Sequence, residues 1–245
     1  MTHDDAVLSR WPVRRVEASP SAQPPAPDAW PATVPAVAHL LRDGLDLRGA
    51  TVLVGENGTG KSTLVEAIAT AYGLNPEGGS VHARHRTHDS ESGLDAALRI
   101  VRGAGASRWG YFVRAETMHG FFTYSVENNG PDFHRMSHGE AFRELVLGTT
   151  WFDGPGFYVF DEPESALSFS GQLALLGQLA DLAGSGAAQI LLATHSPVLA
   201  ALPDAAVYEL DESGYARREW ADLEMVGHYR SYLDDPRRYL RHLLD

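Results

Sequence analysis

ATVLVGENGTGKSTLVEAIA, residues Ala50 to Ala69, decides how the rest of the chain is read. Thr51 to Val54 is a short apolar run, expected as a buried strand. GENGTGKS, Gly55 to Ser62, follows at once and fits G-x-x-x-x-G-K-[ST] without a gap. A helical pattern then begins, with Leu64, Val65 and Ile68 on one face. Strand, glycine loop and helix in this order turn the pattern into a phosphate site. Gly55, Gly58 and Gly60 let the backbone curl so that N–H groups point inward. The helix starting near Lys61 adds unpaired N–H groups and the positive end of its dipole. The residues expected to bind a nucleotide here are Gly55, Glu56, Asn57, Gly58, Thr59, Gly60, Lys61, Ser62 and Thr63. Lys61 can reach the β- and γ-phosphates as a flexible point charge, and Ser62 can offer its hydroxyl to a magnesium ion. Lys61 is also the only lysine among 20 lysines and arginines, and it stands where such a loop needs one.

Three further stretches carry candidate chemistry. FYVFDEPESALS, Phe157 to Ser168, reads as a buried strand that delivers two carboxylates at its C-terminal end, where ligands sit in open α/β sheets. Asp161 is expected to hold the magnesium, and Glu162 to orient and polarise the attacking water. ILLATHSP, Ile190 to Pro197, is a second buried strand ending in polar residues, with His195 where it could sense a γ-phosphate. MSHGE, Met136 to Glu140, offers a serine N-cap and a nearby glycine at a helix start.

Taken in order, these residues resemble the ABC-type ATPases. Gly55 to Ser62 fits that family's phosphate loop, and Asp161, Glu162 and Pro163 fit its D-E-P strand end. Ser165 to Ser168 look like the D-loop and His195 like the switch histidine. Ser137 and Gly139 fall on the serine and second glycine of the signature usually written LSGGQ. His138 and Glu140 depart from that signature, which places the chain nearest to small stand-alone ATPases with SHGE in its place and a THSP switch. Glu116, in RAETM, stands about where the family's Q-loop glutamine would contact the metal, and Trp30 is the candidate for stacking on adenine. The resemblance implies ATP and Mg2+ as ligands, and ATP hydrolysis with Glu162 and His195 as the catalytic pair. It also implies a head-to-tail homodimer in which Ser137 of one chain completes the site built on Lys61 of the other.

The remaining sequence sets the frame. Strands alternating with helices imply an α/β fold of the P-loop NTPase type, a mostly parallel sheet flanked by helices. A small β edge and a reduced helical subdomain are expected beside it, by the same resemblance. Residues 1–28, rich in proline, alanine and serine, are expected as a flexible tail before an ATPase domain spanning 29–245. Of 245 residues 44% are hydrophobic, enough for a sizeable core, and no run approaches the ~20 apolar residues of a membrane helix. The start lacks the apolar segment of a secretory signal. The lack of cysteine excludes disulfides and thiolate metal sites and fits a cytoplasmic protein. A formal charge of −12 disfavours broad nucleic-acid binding, although His82 to His88 and Arg237, Arg238 and Arg241 make local basic clusters.

The leading expectation is a Mg-dependent ATPase working as an ATP-gated dimer on a protein or nucleic-acid partner, with DNA maintenance or defence as the setting by analogy. An ATP-binding subunit of an ABC transporter and a regulatory module without turnover are the alternatives. The stretch from Ser62 to Ser137 is too short for the long coiled coils of chromosome-organising ATPases.

Overall fold

The structure, a computed structural model, describes residues 11–80, 92–115, 140, 144, 152 and 154–241. Its centre is a seven-stranded sheet in the order β10 (Gly214–Arg218), β9 (Ala206–Asp211), β3 (Ala50–Gly55), β8 (Ala188–Ala193), β7 (Gly156–Asp161), β6 (Gly110–Arg114) and β4 (Gly79–Ser80). The phosphate-loop strand is β3 (Ala50–Gly55), followed by a helix from Lys61 to Tyr72. The acidic strand is β7 (Gly156–Asp161) and the switch strand is β8 (Ala188–Ala193). β9 (Ala206–Asp211) flanks β3 on the other side. β3, β6 (Gly110–Arg114), β7, β8 and β9 run parallel, while β4 (Gly79–Ser80) and β10 (Gly214–Arg218) close the two edges antiparallel.

The continuous apolar runs in β7 and β8 serve two faces at once, because side chains alternate across a sheet. Phe157, Val159, Leu191 and Ala193 enter one core with Leu64, Val65 and Ile68 of the phosphate-loop helix. Tyr158, Phe160, Ile190 and Leu192 enter the other with Leu175 and Leu179. Those leucines lie on the helix Phe169–Gly184, whose N-cap Ser168 accepts the N–H of Gly171. Helices therefore cover both faces of the sheet. In chain order the helices of the described residues are α1 (Pro35–Asp43), α2 (Lys61–Tyr72), α3 (Phe169–Gly184), α4 (Glu224–Asp234) and α5 (Arg237–Leu240). Gly73, in the left-handed region at φ 110°, ends α2 and donates to the carbonyls of Ala69 and Thr70.

A second sheet of three antiparallel strands runs β2-β1-β5, with β1 at Arg15–Ala18, β2 at Leu45–Asp46 and β5 at Leu98–Val101. Here the structure corrects the expectation of a flexible tail through residue 28. Val13 and Val16 are fully buried in the core around α2. The physical reason lies far along the chain. Gln189, fully buried in β8, accepts the N–H of Val13 at 2.8 Å and donates to the carbonyls of Val13 at 2.6 Å and Arg48 at 2.9 Å. One side-chain amide thus completes the backbone bonding of a segment that lies outside the main sheet. Between Pro20 and Pro27 the chain does turn without helix or strand. Gln189→Ala would leave these buried backbone groups unsatisfied. It should lower stability in urea by about 2–4 kcal/mol and speed hydrogen exchange in β1 ahead of β7 and β8.

Candidate functional site

Register brings the candidate residues to one edge. Across the sheet Leu53 of β3 pairs with Ala193 of β8, Ala193 with Asp161 of β7, and Asp161 with Arg114 of β6. These strands are parallel and end in one row. Gly55 to Ser62, His195 and Glu162 all follow just beyond that row. The switch strand lies between the phosphate-loop strand and the acidic strand, so His195 emerges between the loop and the carboxylates.

The loop is wound tightly. Gly55 has φ 153°, and a Cβ there would come within 2.5 Å of the carbonyl oxygen of Leu210. Gly60 has φ 96°, and a Cβ would meet Val34 Cγ1 at 2.5 Å. Thr59 Oγ1 donates to the carbonyl of Glu56 at 2.8 Å and pins the turn. Lys61 is only 3% exposed. Its Nζ donates to the carbonyls of Gly55 and Glu56, both at 2.9 Å, inside its own loop. Burial lowers its pKa, and the charges of Glu162, Asp161 and Glu164 oppose that shift. Among the described residues the buried ammonium is held by loop carbonyls and faces three carboxylates, an arrangement that can exchange those carbonyls for phosphate oxygens. Thr63 follows in the first turn of α2.

Ser62 Oγ donates to Asp161 Oδ1 at 3.0 Å, which joins the phosphate loop to the acidic strand. Asp161 is 4% exposed. Glu162 takes the left-handed conformation, φ 49° and ψ 48°, uncommon for a side chain of this size. Its N–H donates to the carbonyl of Ala193 at 3.0 Å, which ties the turn to the switch strand. Its Oε1 lies 3.1 Å from His195 Nε2. The structure thus brings together Gly55 to Thr63, Asp161, Glu162 and His195. Ser137, Gly139 and Glu116, expected at the same site, lie outside the described residues, as do the histidine-rich cluster and the helical subdomain. Trp30 is exposed, four residues before the Val34 that packs on Gly60.

Two contributors were not legible in the sequence. Arg114, at the end of β6, bonds Glu66 of α2 at 2.6 Å and lies 3.6 Å from Asp161 Oδ2. Glu164, one residue past Pro163, accepts the backbone N–H of His195. Partners separated this far along the chain leave no local pattern. An open cleft of 1120 Å³ lies beside the loop. It takes in Gly55 to Thr59 and His195 on one side and the β9–β10 turn with Glu224, His228 and Tyr229 on the other.

Two family models match the sequence. One described as "ABC transporter" matches residues 45–165. The other, described as "AAA domain, putative AbiEii toxin, Type IV TA system", matches residues 145–201. No curated protein matches the chain. Among solved structures it is similar to an inward-facing "putative metal-chelate type ABC transporter", at 19% identity and TM-score 0.45, covering 74% of this chain and 76% of that one. It is similar to cbiO1 of Clostridium perfringens, part of the ABC transporter complex cbiONQ, at 16% identity and TM-score 0.46, covering 82% and 90%. It is also similar to the SMC head domain from Thermotoga maritima, at 15% identity and TM-score 0.39, covering 71% and 92%. With its gapless phosphate loop, its D-E-P strand end, the switch strand between them and the two family matches, which together run from residue 45 to 201, the chain carries an ABC-type P-loop ATPase domain.

Proposed function

We propose that this ATPase is magnesium-dependent and closes on a second copy of itself when ATP binds, so that hydrolysis releases whatever the closed pair grips. The observation that carries the reading is the contact set around one sheet edge: Lys61 in its loop, Ser62 bonded to Asp161, and Glu162 bonded to His195. When the triphosphate arrives, Lys61 exchanges the carbonyls of Gly55 and Glu56 for phosphate oxygens. Ser62 and Asp161 supply hard oxygen ligands 3.0 Å apart. That suits magnesium, which takes one or two protein oxygens and completes its shell with phosphate and water. Bound there, the ion would neutralise charge on the β- and γ-phosphates. Glu116 is assigned to the same shell on the strength of the resemblance.

Glu162 is the general base that takes the proton of the attacking water, and His195 fixes its carboxylate through Nε2. Ser137 and Gly139 of a second copy cap the nucleotide, and contacts to the γ-phosphate shift the population towards the closed pair. The partner is a protein or nucleic acid. The match to a family described as a toxin of a toxin–antitoxin system is in keeping with a defence setting. An ATPase needs a compartment that supplies ATP, and we assign it to the cytoplasm.

A malachite-green assay tests turnover: phosphate release should require magnesium and vanish in EDTA. Light scattering should show a doubled mass with ATP. Release without magnesium contradicts the metal assignment, and no release at all favours a regulatory module. The match to an ABC transporter model favours a second reading, an ATP-binding subunit. Among the described residues no helix is long and apolar enough to cross a membrane, so that reading needs a membrane partner. Co-purification with a membrane protein would support it.

A further inference from the structure

Glu164 lies in the 3₁₀ turn Pro163–Ala166, and the proposed steps do not use it. The turn does not need its carboxylate either. Main-chain bonds close it, from Ser165 N–H to the carbonyl of Glu162 and from Leu167 N–H to the carbonyl of Glu164. An acid here also adds repulsion beside Asp161 and Glu162. Its Oε2 is buried with no hydrogen-bond partner among the described residues, a costly arrangement for a carboxylate. What the side chain does have is Oε1 on the backbone N–H of His195. Two residues earlier on the same turn, Glu162 Oε1 lies 3.1 Å from Nε2 of that histidine. One turn therefore holds His195 twice, by its ring and by its main chain.

We propose that Glu164 is a positioning residue: it locks the main chain of the switch loop to the turn that carries Glu162, so that the Glu162–His195 pair keeps one geometry during ATP hydrolysis. The inference rests on the reading of Glu162 and His195 as members of the hydrolytic site. A hydrogen bond to a charged acceptor is strong enough for its loss to release the loop.

Four variants test it: Glu164→Ala, Glu164→Gln, His195→Ala and the Glu164→Ala/His195→Ala double. Glu164→Ala should lower kcat by roughly ten- to a hundredfold and change affinity for a fluorescent ATP analogue by less than about threefold. Glu164→Gln keeps an acceptor in the same place and should recover most of the rate. The double variant should be no slower than His195→Ala, because both changes break one linkage. By NMR the His195 amide proton should lie far downfield in the wild type and move upfield in both Glu164 variants. A wild-type kcat in Glu164→Ala, or losses that multiply in the double variant, would overturn the proposal. If Glu164→Ala does not fold, Glu164→Gln carries the test, and an unmoved His195 amide resonance there overturns it. If Glu162→Gln and His195→Ala slow turnover while Glu164→Ala does not, the positioning role alone fails. If Glu162→Gln turns over at the wild-type rate, the reading beneath it fails as well.

Discussion

Lys61→Ala should weaken ATP binding by about a hundredfold or more, to the edge of detection in titration calorimetry. The size of the effect follows from where the charge sits. Lys61 is the only lysine in the chain, it is 3% exposed, and among the described residues its two hydrogen bonds are to carbonyls of its own loop. Exchanging those carbonyls for phosphate oxygens converts neutral acceptors to charged ones in a site shielded from water, where such bonds are strong. Arg114 does not stand in for it, being engaged with Glu66 and Asp161. The two cores that cover the sheet are built from other side chains, so circular dichroism should be unchanged. Retained affinity in a folded Lys61→Ala protein would mean that the phosphates are held elsewhere.

Glu162→Gln should separate binding from chemistry. The substitution is isosteric and keeps an oxygen within reach of His195, but an amide cannot take a proton from water. Affinity for ATP should stay within a few-fold of wild type, while hydrolysis slows by ~10²–10⁴-fold. The main-chain bond from Glu162 to Ala193, which holds the left-handed turn, does not involve the side chain and should survive. Because ATP then persists, closed pairs should accumulate and be visible by light scattering. A variant that hydrolyses at the wild-type rate would remove Glu162 as the base, and one that binds ATP yet stays monomeric would remove the head-to-tail pair. The same protein, loaded with ATP, is the form on which to capture the partner.

Much of this site could be read from local sequence because its parts are strand ends. A β-strand buried on both faces cannot hide. Phe157 to Phe160 and Gln189 to Ala193 stand out as apolar runs, and the polar residues after them mark the sheet's C-terminal edge. The glycines of the loop have no other ready explanation. The first strand was not legible for the opposite reason. Arg15 to Ala18 alternates charged and apolar residues over only four positions, beside a proline-rich stretch. It is fixed by pairing with β2 and β5, and just before it Gln189, far along the chain, bonds the main chain of Val13. β10, with Tyr215 to Arg218, has the same mixed character and is held by pairing with β9. Arg114 and Glu164 were missed because their roles exist only once β6, β7 and β8 stand in register. Arg114 faces Asp161 across a strand pair, and Glu164 meets a main-chain group thirty-one residues away. Spacing along the chain cannot encode such contacts. A half-buried arginine at a strand end and an acid just past a D-E-P turn are the signals to look for.

One structure would test the site most directly: the Glu162→Gln protein crystallised with magnesium and ATP. Lys61 should have left the carbonyls of Gly55 and Glu56 for the β- and γ-phosphates, and a metal ion should stand between Ser62 Oγ and Asp161. The γ-phosphate should lie within reach of residue 162 and His195. Nucleotide bound away from this edge, or Lys61 still on its own loop with ATP present, would contradict it.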